Sequence, residues 1–299
     1  MDSKTVDVMK WLEENKEDFV PPVCNKCMFS NQLKLFFVGG PNSRDDYHLE
    51  EGEEFFYQQT GDMVLKVIER GQPRDIRINE GEVFLLPSRV EHSPQRFANT
   101  VGFVLERARE NTEFDCVRYF VKSSTVRLFE RWFHLNDVVR DLPPLIQAFR
   151  SSEECRNGIP GPKSFLINAP YEAAATDLSK PMNLQNFIEK HKEATRLVTK
   201  NAPVQIYGPP SYSTNVLLYG EGEHILEVNE FELIIWIMVG NFSAYFIFYF
   251  FFVLLGLSSR LLCGSQHFSH YSIRLFASPQ ISPNITCGFG YCLKSFISS

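Results

Sequence analysis

Two stretches, Arg44-Asp-Asp-Tyr-His48-Leu-Glu-Glu-Gly-Glu-Glu54 and Gly81-Glu-Val-Phe-Leu-Leu-Pro87 running on to His92-Ser-Pro-Gln-Arg96, decide how this chain is read. They set two imidazoles and a carboxylate among short apolar runs cut by turn residues. The run at 33–38 ends at Gly39-Gly40-Pro41, 55–57 precedes Gly61-Asp62, 63–68 precedes Gly71-Gln72-Pro73, and 75–78 precedes Asn79-Glu80-Gly81. Further runs follow at 83–86, 101–105 and 117–121. Short strands at this spacing, with turn signals between them, predict a sandwich or barrel, and a double-sheet jelly roll is the specific candidate.

Strand side chains alternate between faces, so residues an even number apart share one. His48 and Glu54 are six apart, Arg44 is four before His48, and His92 and Arg96 are four apart. If both blocks are extended, all five point into one interior. Two neutral imidazoles and one carboxylate leave several positions of an octahedral metal open, as a catalyst needs when substrate and dioxygen must both bind. Zinc tolerates the same donors but carries no redox chemistry. Taken singly, each block has a plainer reading: a packed histidine, a solvated acidic turn at Glu50, Glu51, Glu53 and Glu54, or surface arginines paired with Asp45 or Glu91. Glu106, in the run from 101 to 107, could be an outward strand charge. What is specific is the conjunction of His48-x5-Glu54-x6-Gly61 with Gly81-x5-Pro87-x4-His92, in that order in one β-rich segment.

The paired blocks resemble the two cupin motifs. More narrowly, NQLKLFFVGGPNSRDDYHLEEGEEFFYQQTGDM (31–63) and GEVFLLPSRVEHSPQRFANTVGFVLER (81–107) resemble the 3-hydroxyanthranilate 3,4-dioxygenases, over about residues 5–236. The resemblance implies a mainly β protein: a cupin double-stranded β-helix (jelly-roll barrel) at 1–160, a linker at 161–181 and a truncated second cupin-like domain at 182–236. It implies Fe(II) held by His48, Glu54 and His92, Arg44 near the dioxygen, and Arg96 and Glu106 gripping the substrate. Arg44 and Glu54 are also implied as catalytic and substrate-binding residues. The implied partners are 3-hydroxyanthranilate and O2, the product 2-amino-3-carboxymuconate semialdehyde, and the pathway the kynurenine route to quinolinate and NAD. Two departures from the general cupin pattern stand out: Asp46 replaces the usual first histidine, leaving three ligands, and Arg89 replaces a usual glycine. The alternative class is a non-catalytic or zinc-binding cupin binding module.

The net charge of −6, with no basic stripe, argues against nucleic acid as a partner. Seven cysteines at irregular spacing make no disulfide framework, and Cys24-x2-Cys27 lacks a matching second pair. With no apolar leader at the start, the expected place is the cytosol, and the expected state a monomer. Residues 4–19 read as an amphipathic helix with Val8, Trp11 and Leu12 on one face, 122–155 as helical or irregular, and Asn183 as the cap of a helix carrying Leu184, Phe187, Ile188 and His191. Strand-like runs resume at 204–207, 216–219 and 231–236. Then the composition changes. Residues 233–257, LIIWIMVGNFSAYFIFYFFFVLLGL, carry no charge and are long enough for a helical membrane span. No Asp or Glu occurs from 237 to 299, which reads as a divergent hydrophobic tail. Either the run is a membrane anchor flanked by Arg260, or the tail is a splice or gene-prediction product. The abrupt change inside a strand-rich domain favours the second.

Overall fold

The computed structural model describes residues 2–21, 24–197, 203–219, 232–239, 251–257 and 272–277. In chain order the elements begin with β1 (Asp2–Asp7), α1 (Val8–Glu14), β2 (Asn25–Ser30), β3 (Leu33–Gly39), β4 (Tyr47–Leu49), β5 (Glu54–Thr60) and β6 (Met63–Glu69). Then come β7 (Gln72–Ile78), β8 (Glu82–Leu86), β9 (His92–Arg96), β10 (Val101–Arg107), β11 (Asp115–Phe120) and β12 (Arg127–Phe133). The second half holds α2 (Val138–Arg150), α3 (Glu153–Asn157), β13 (Met182–Asn183), α4 (Leu184–Leu197), β14 (Val204–Tyr207), β15 (Thr214–Tyr219), β16 (Leu233–Val239), β17 (Phe251–Leu257) and β18 (Ser272–Ala277).

Two six-stranded sheets face each other as a cupin-type jelly-roll sandwich. One has the order β13-β8-β5-β10-β3-β2, the other β12-β11-β4-β9-β6-β7. Alternation along the strands builds the core between them. On β5, Phe56 joins Met63, Leu65 and Val67 of β6, Ile76 and Ile78 of β7, and Phe84 and Leu86 of β8. The alternate residues Phe55 and Tyr57, with Val83, Leu85, Phe103 and Leu105, belong to a second core on the opposite face. The first sheet is therefore covered on both faces, which is why Glu54–Gln59 is buried without a break.

What covers that outer face is a third sheet, β1-β18-β16-β17-β15-β14. Trp236, 1% exposed, is its anchor: its ring lies 4.5 Å from Tyr57 and 5.1 Å from Phe103. The Leu33 N–H donates to Glu232 at 2.7 Å, and the Ser213 and Thr214 N–H groups donate to the Glu53 carboxylate at 2.9 and 2.7 Å.

The boundary expected at residue 236 falls inside β16, and β17 and β18, from the expected tail, pair with β16. Where it is described, the uncharged 233–257 run is strand, not helix, and among the described residues no helix is long and apolar enough to cross a membrane. At the other end, the helix expected over 4–19 is shorter. Asp7 accepts from the Lys10 N–H at 3.1 Å and starts α1 at Val8, while 2–7 is strand and Lys16–Phe19 a 3-10 turn. The expected helical stretch at 122–155 is also divided. Residues 127–133 are strand, and the Asp137 carboxylate caps α2 through the N–H groups of Val139 and Arg140, at 2.9 and 3.2 Å. Asn183 caps α4 as expected, accepting from the Asn186 N–H at 2.9 Å.

Candidate metal centre

The site rests on two cross-strand pairs, one on each sheet of the sandwich. His48 of β4 is directly opposite His92 of β9, and Glu54 of β5 is directly opposite Glu106 of β10. The imidazole rings stand edge to face, 5.4 Å between centroids, and Glu54 Oε1 lies 2.9 Å from His92 Nε2. One donor atom from each of His48, Glu50, Glu54 and His92 lies within 4.8 Å of all the others.

The far nitrogens of the rings are already engaged. His48 Nε2 is 2.7 Å from Asp115 Oδ2, and His92 Nδ1 donates to the Val90 carbonyl at 2.9 Å. A carboxylate or carbonyl behind a histidine fixes its tautomer and aims the other nitrogen, the support metal-bound histidines ordinarily have. His48 Nδ1 and His92 Nε2 are thus the nitrogens left for the centre. The donor set and this support fit a divalent metal ion, and among the described residues no other group of His, Cys, Asp or Glu does so.

Burial disfavours the charge on Glu54, but the adjacent His92, the Glu50 carboxyl and His48 reverse this and hold it well below the usual carboxylate range. His92 is pulled down by burial and raised further by Glu54, ending above its ordinary value.

The two arginines differ. Arg44 is matched: its guanidinium grips the buried Asp46 carboxylate, Nε to Oδ1 at 3.1 Å. Its partner is neither Asp45 nor Glu91, the latter being paired with Arg118. Asp46, at the place of the usual first cupin histidine, thus serves an arginine and lies outside the donor group. Arg96 is buried and unmatched. Nη1 donates to the neutral Gln58 amide at 2.8 Å, Nε has no partner, and burial pushes the group down to about 10. Gln58 is itself fixed by its Nε2 donating to the Gly61 carbonyl at 2.9 Å. Gly102 makes room for that amide, because a Cβ there would lie 2.1 Å from Gln58 Oε1.

Glu106 points inward, 7% exposed, and burial raises its carboxyl above the ordinary value although Arg109 opposes the shift. All six residues picked out from the sequence (Arg44, His48, Glu54, His92, Arg96 and Glu106) line one cavity of about 130 Å³, with Phe36, Val38, Val104 and Leu142 among its apolar walls.

Three further groups escaped the sequence reading. Glu50 joins the donor group, Asp115 stands behind His48, and Arg109 lies among Glu50, Glu106 and Asp115 at 2.6, 2.5 and 2.8 Å. The apparently uniform acidic run goes to three destinations. Glu50 and Glu54 enter the site, Glu51 meets Arg89 at the surface at 2.8 Å, and Glu53 holds the third sheet. The Arg89 departure is also explained. It has φ +60°, a left-handed conformation that glycine adopts freely, and its guanidinium stacks 4.8 Å over the Tyr171 ring.

Residues 1–150 match the family model for 3-hydroxyanthranilic acid dioxygenase. The 3-hydroxyanthranilate 3,4-dioxygenase of Caenorhabditis elegans is 59% identical over 239 residues, 80% of this chain and 84% of the relative. The rat enzyme of that name is 46% identical over 238 residues, 80% and 82% of the two chains, and the human one 48% over 219 residues, 73% and 75%. Such agreement, along most of the length of the relatives, means that this chain belongs to the 3-hydroxyanthranilate 3,4-dioxygenase family.

Proposed function

We propose that the chain is a cytosolic Fe(II) dioxygenase that opens the ring of 3-hydroxyanthranilate, with His48, Glu54 and His92 as the metal ligands. Residues 1–160 would carry the chemistry and the third sheet would brace it. The observation that carries the substrate reading is Arg96. A buried guanidinium with a neutral partner and an unbonded Nε is a standing vacancy for an anion, and a benzoate-type carboxylate is an anion of the right size.

Ferrous iron, when bound, supplies the electron transfer that lets dioxygen react with a closed-shell aromatic. The chain's own residues do the rest. Arg96 binds the substrate carboxylate and sets the ring's orientation. Phe36, Val38 and Val104 flank the ring and exclude water. Glu106 hydrogen-bonds the hydroxyl and amine edge. A carboxyl with a raised pKa is a competent acceptor for the proton that edge loses. Arg44, held in place by Asp46, presents fixed positive charge where negative charge develops on oxygen. The bond between the hydroxyl-bearing carbon and its unsubstituted ring neighbour (C3–C4) breaks, one oxygen atom enters at each carbon, and 2-amino-3-carboxymuconate semialdehyde leaves.

Anaerobic loading with Fe(II), followed by addition of 3-hydroxyanthranilate and oxygen, tests this. One O2 should be consumed per semialdehyde formed. Iron-loaded protein that consumes no oxygen with this substrate overturns the reading, and equal activity with Zn(II) overturns the redox role.

A further inference from the structure

Arg109 is one cation set among three carboxyl groups. It lies in the connection between β10 and β11 with its side chain 4% exposed, and its nitrogens lie 2.6 Å from Glu50 Oε2, 2.5 Å from Glu106 Oε1 and 2.8 Å from Asp115 Oδ2. The carboxylates come from three places: the turn after β4, the strand β10 and the first residue of β11. Asp115 and Glu106 have other work, one behind His48 and the other opposite Glu54.

Glu50 has none. Neither of its carboxyl oxygens accepts a hydrogen bond of good geometry, yet it is 3% exposed and belongs to the four-membered donor group, with Oε1 4.0 Å from His48 Nδ1. The turn is shaped to admit it, since a Cβ at Gly52 would lie 2.8 Å from Glu50 Oε2. A fourth donor therefore stands beside the three proposed ligands, with one of its oxygens held 2.6 Å from a single guanidinium.

The number of ligands matters. An octahedral ion held by three side chains has room for a substrate binding through two atoms and for dioxygen. With a fourth side chain bound, one of the three incoming atoms has no place. We infer that Arg109 is a positioning residue that withholds Glu50 from the metal and thereby keeps that last coordination position open. This rests on the reading of His48, Glu54 and His92 as the metal ligands.

Mn(II) is the probe, with two readouts on the full chain: its dissociation constant and the number of exchangeable metal-bound waters measured by water-oxygen relaxation. Arg109→Met should bind Mn(II) severalfold more tightly than wild type, with one exchangeable water fewer. Adding Glu50→Gln to it should restore the wild-type water number. Glu50→Gln alone should leave the water number at the wild-type value.

Arg109→Met that matches wild type in both readouts, or that weakens Mn(II) as much as the double variant does, overturns the inference and makes Arg109 a structural residue. Glu50→Gln that itself gains a water and loses affinity overturns it too, because Glu50 is then already a ligand. Should Arg109→Met not fold, Arg109→Lys, whose single ammonium reaches fewer of the carboxylates, must shift the water number in the same direction or the inference falls. Wild-type protein that binds no Mn(II) overturns the metal site itself and this inference with it.

Discussion

The interior of the sandwich holds two compartments made by the same strands. One is apolar, with Phe56, Met63, Leu65, Val67, Ile76, Ile78, Phe84 and Leu86 packed between the sheets. The other is charged, with two histidines, five carboxylates and three arginines at or beside the cavity. They meet in register: Val67 of the first is opposite His92 of the second, and Met63 opposite Arg96. On β5, Glu54 and Phe56 share a face two residues apart: Glu54 belongs to the charged compartment, and Phe56 stands at the seam, in the apolar core and along the cavity wall. Stability and chemistry are therefore divided by position along and across the strands, with one scaffold serving both. The charged compartment survives burial only because nearly every charge has a partner. Arg96 is the exception, and its missing partner is the proposed ligand.

The division is testable from both sides. The largest effect belongs to Phe84→Ala and His92→Ala as a pair. Truncating a fully buried phenylalanine should cost about 3–5 kcal/mol in denaturant unfolding, with metal affinity of the folded fraction unchanged. His92→Ala should lose metal retention and activity together, as two donors remain. Metal loss in folded Phe84→Ala protein would show that the compartments are not separable.

Next comes Arg96→Met. Burial of an unmatched charge pushes Arg96 from 12.5 to about 10, so removing that charge should stabilise the substrate-free protein by up to about 3 kcal/mol. The same variant should keep its metal and show a large rise in KM for 3-hydroxyanthranilate. A destabilised Arg96→Met with unchanged KM would reverse the assignment of that arginine.

A smaller effect concerns acid. Burial disfavours the charged form of Asp115, but His48 and Arg109 overcome this and hold it at about 2, below its ordinary 3.8. A depressed carboxylate contributes stability above the unfolded value and loses it as pH falls through the folded one. Metal-free protein should thus lose about 2 kcal/mol from this group between pH 3.8 and 2. Asp115→Asn should flatten the stability curve in that window, and an unchanged slope would remove Asp115 from the network. The smallest effect is Glu51→Gln. Its ion pair with Arg89 is partly exposed, so stability should move by less than about 0.5 kcal/mol, although Glu51 is adjacent to Glu50 in the run.

The fold was legible wherever burial is one-sided or complete, because hydrophobic period and turn residues then mark the strands. Strands β3, β5, β6, β8, β10 and β11 all follow apolar runs seen in the sequence. Strands β4 and β9 do not. They carry His48, His92 and Arg96 inward, so no apolar alternation marks them, and only the motif spacing gave them away. The six site residues converge, but the even offset accounts only for His92 and Arg96 on β9; His48 and Glu54 come together from strands of opposite sheets, and Glu106 was outside the spacing argument. Arg109 was beyond reach. The stretch 108–114 is polar and turn-like, and nothing in it distinguishes a buried guanidinium from a solvated one. Glu50 was hidden differently, among four acids whose destinations depend on a turn at Gly52 and on partners far along the chain, such as Ser213 and Arg109. The N-terminal helix was drawn too long because the apolar spacing at Val8, Trp11 and Leu12 does not mark where Asp7 caps the chain.

The most direct test of the central claim is anomalous diffraction at the iron edge from crystals grown anaerobically with Fe(II). One peak should lie in the cavity at bonding distance from His48, Glu54 and His92, about 2 Å from each donor atom, with Glu50 turned toward Arg109. A cavity without a peak, or iron bound while any of those three side chains points elsewhere, would contradict the account.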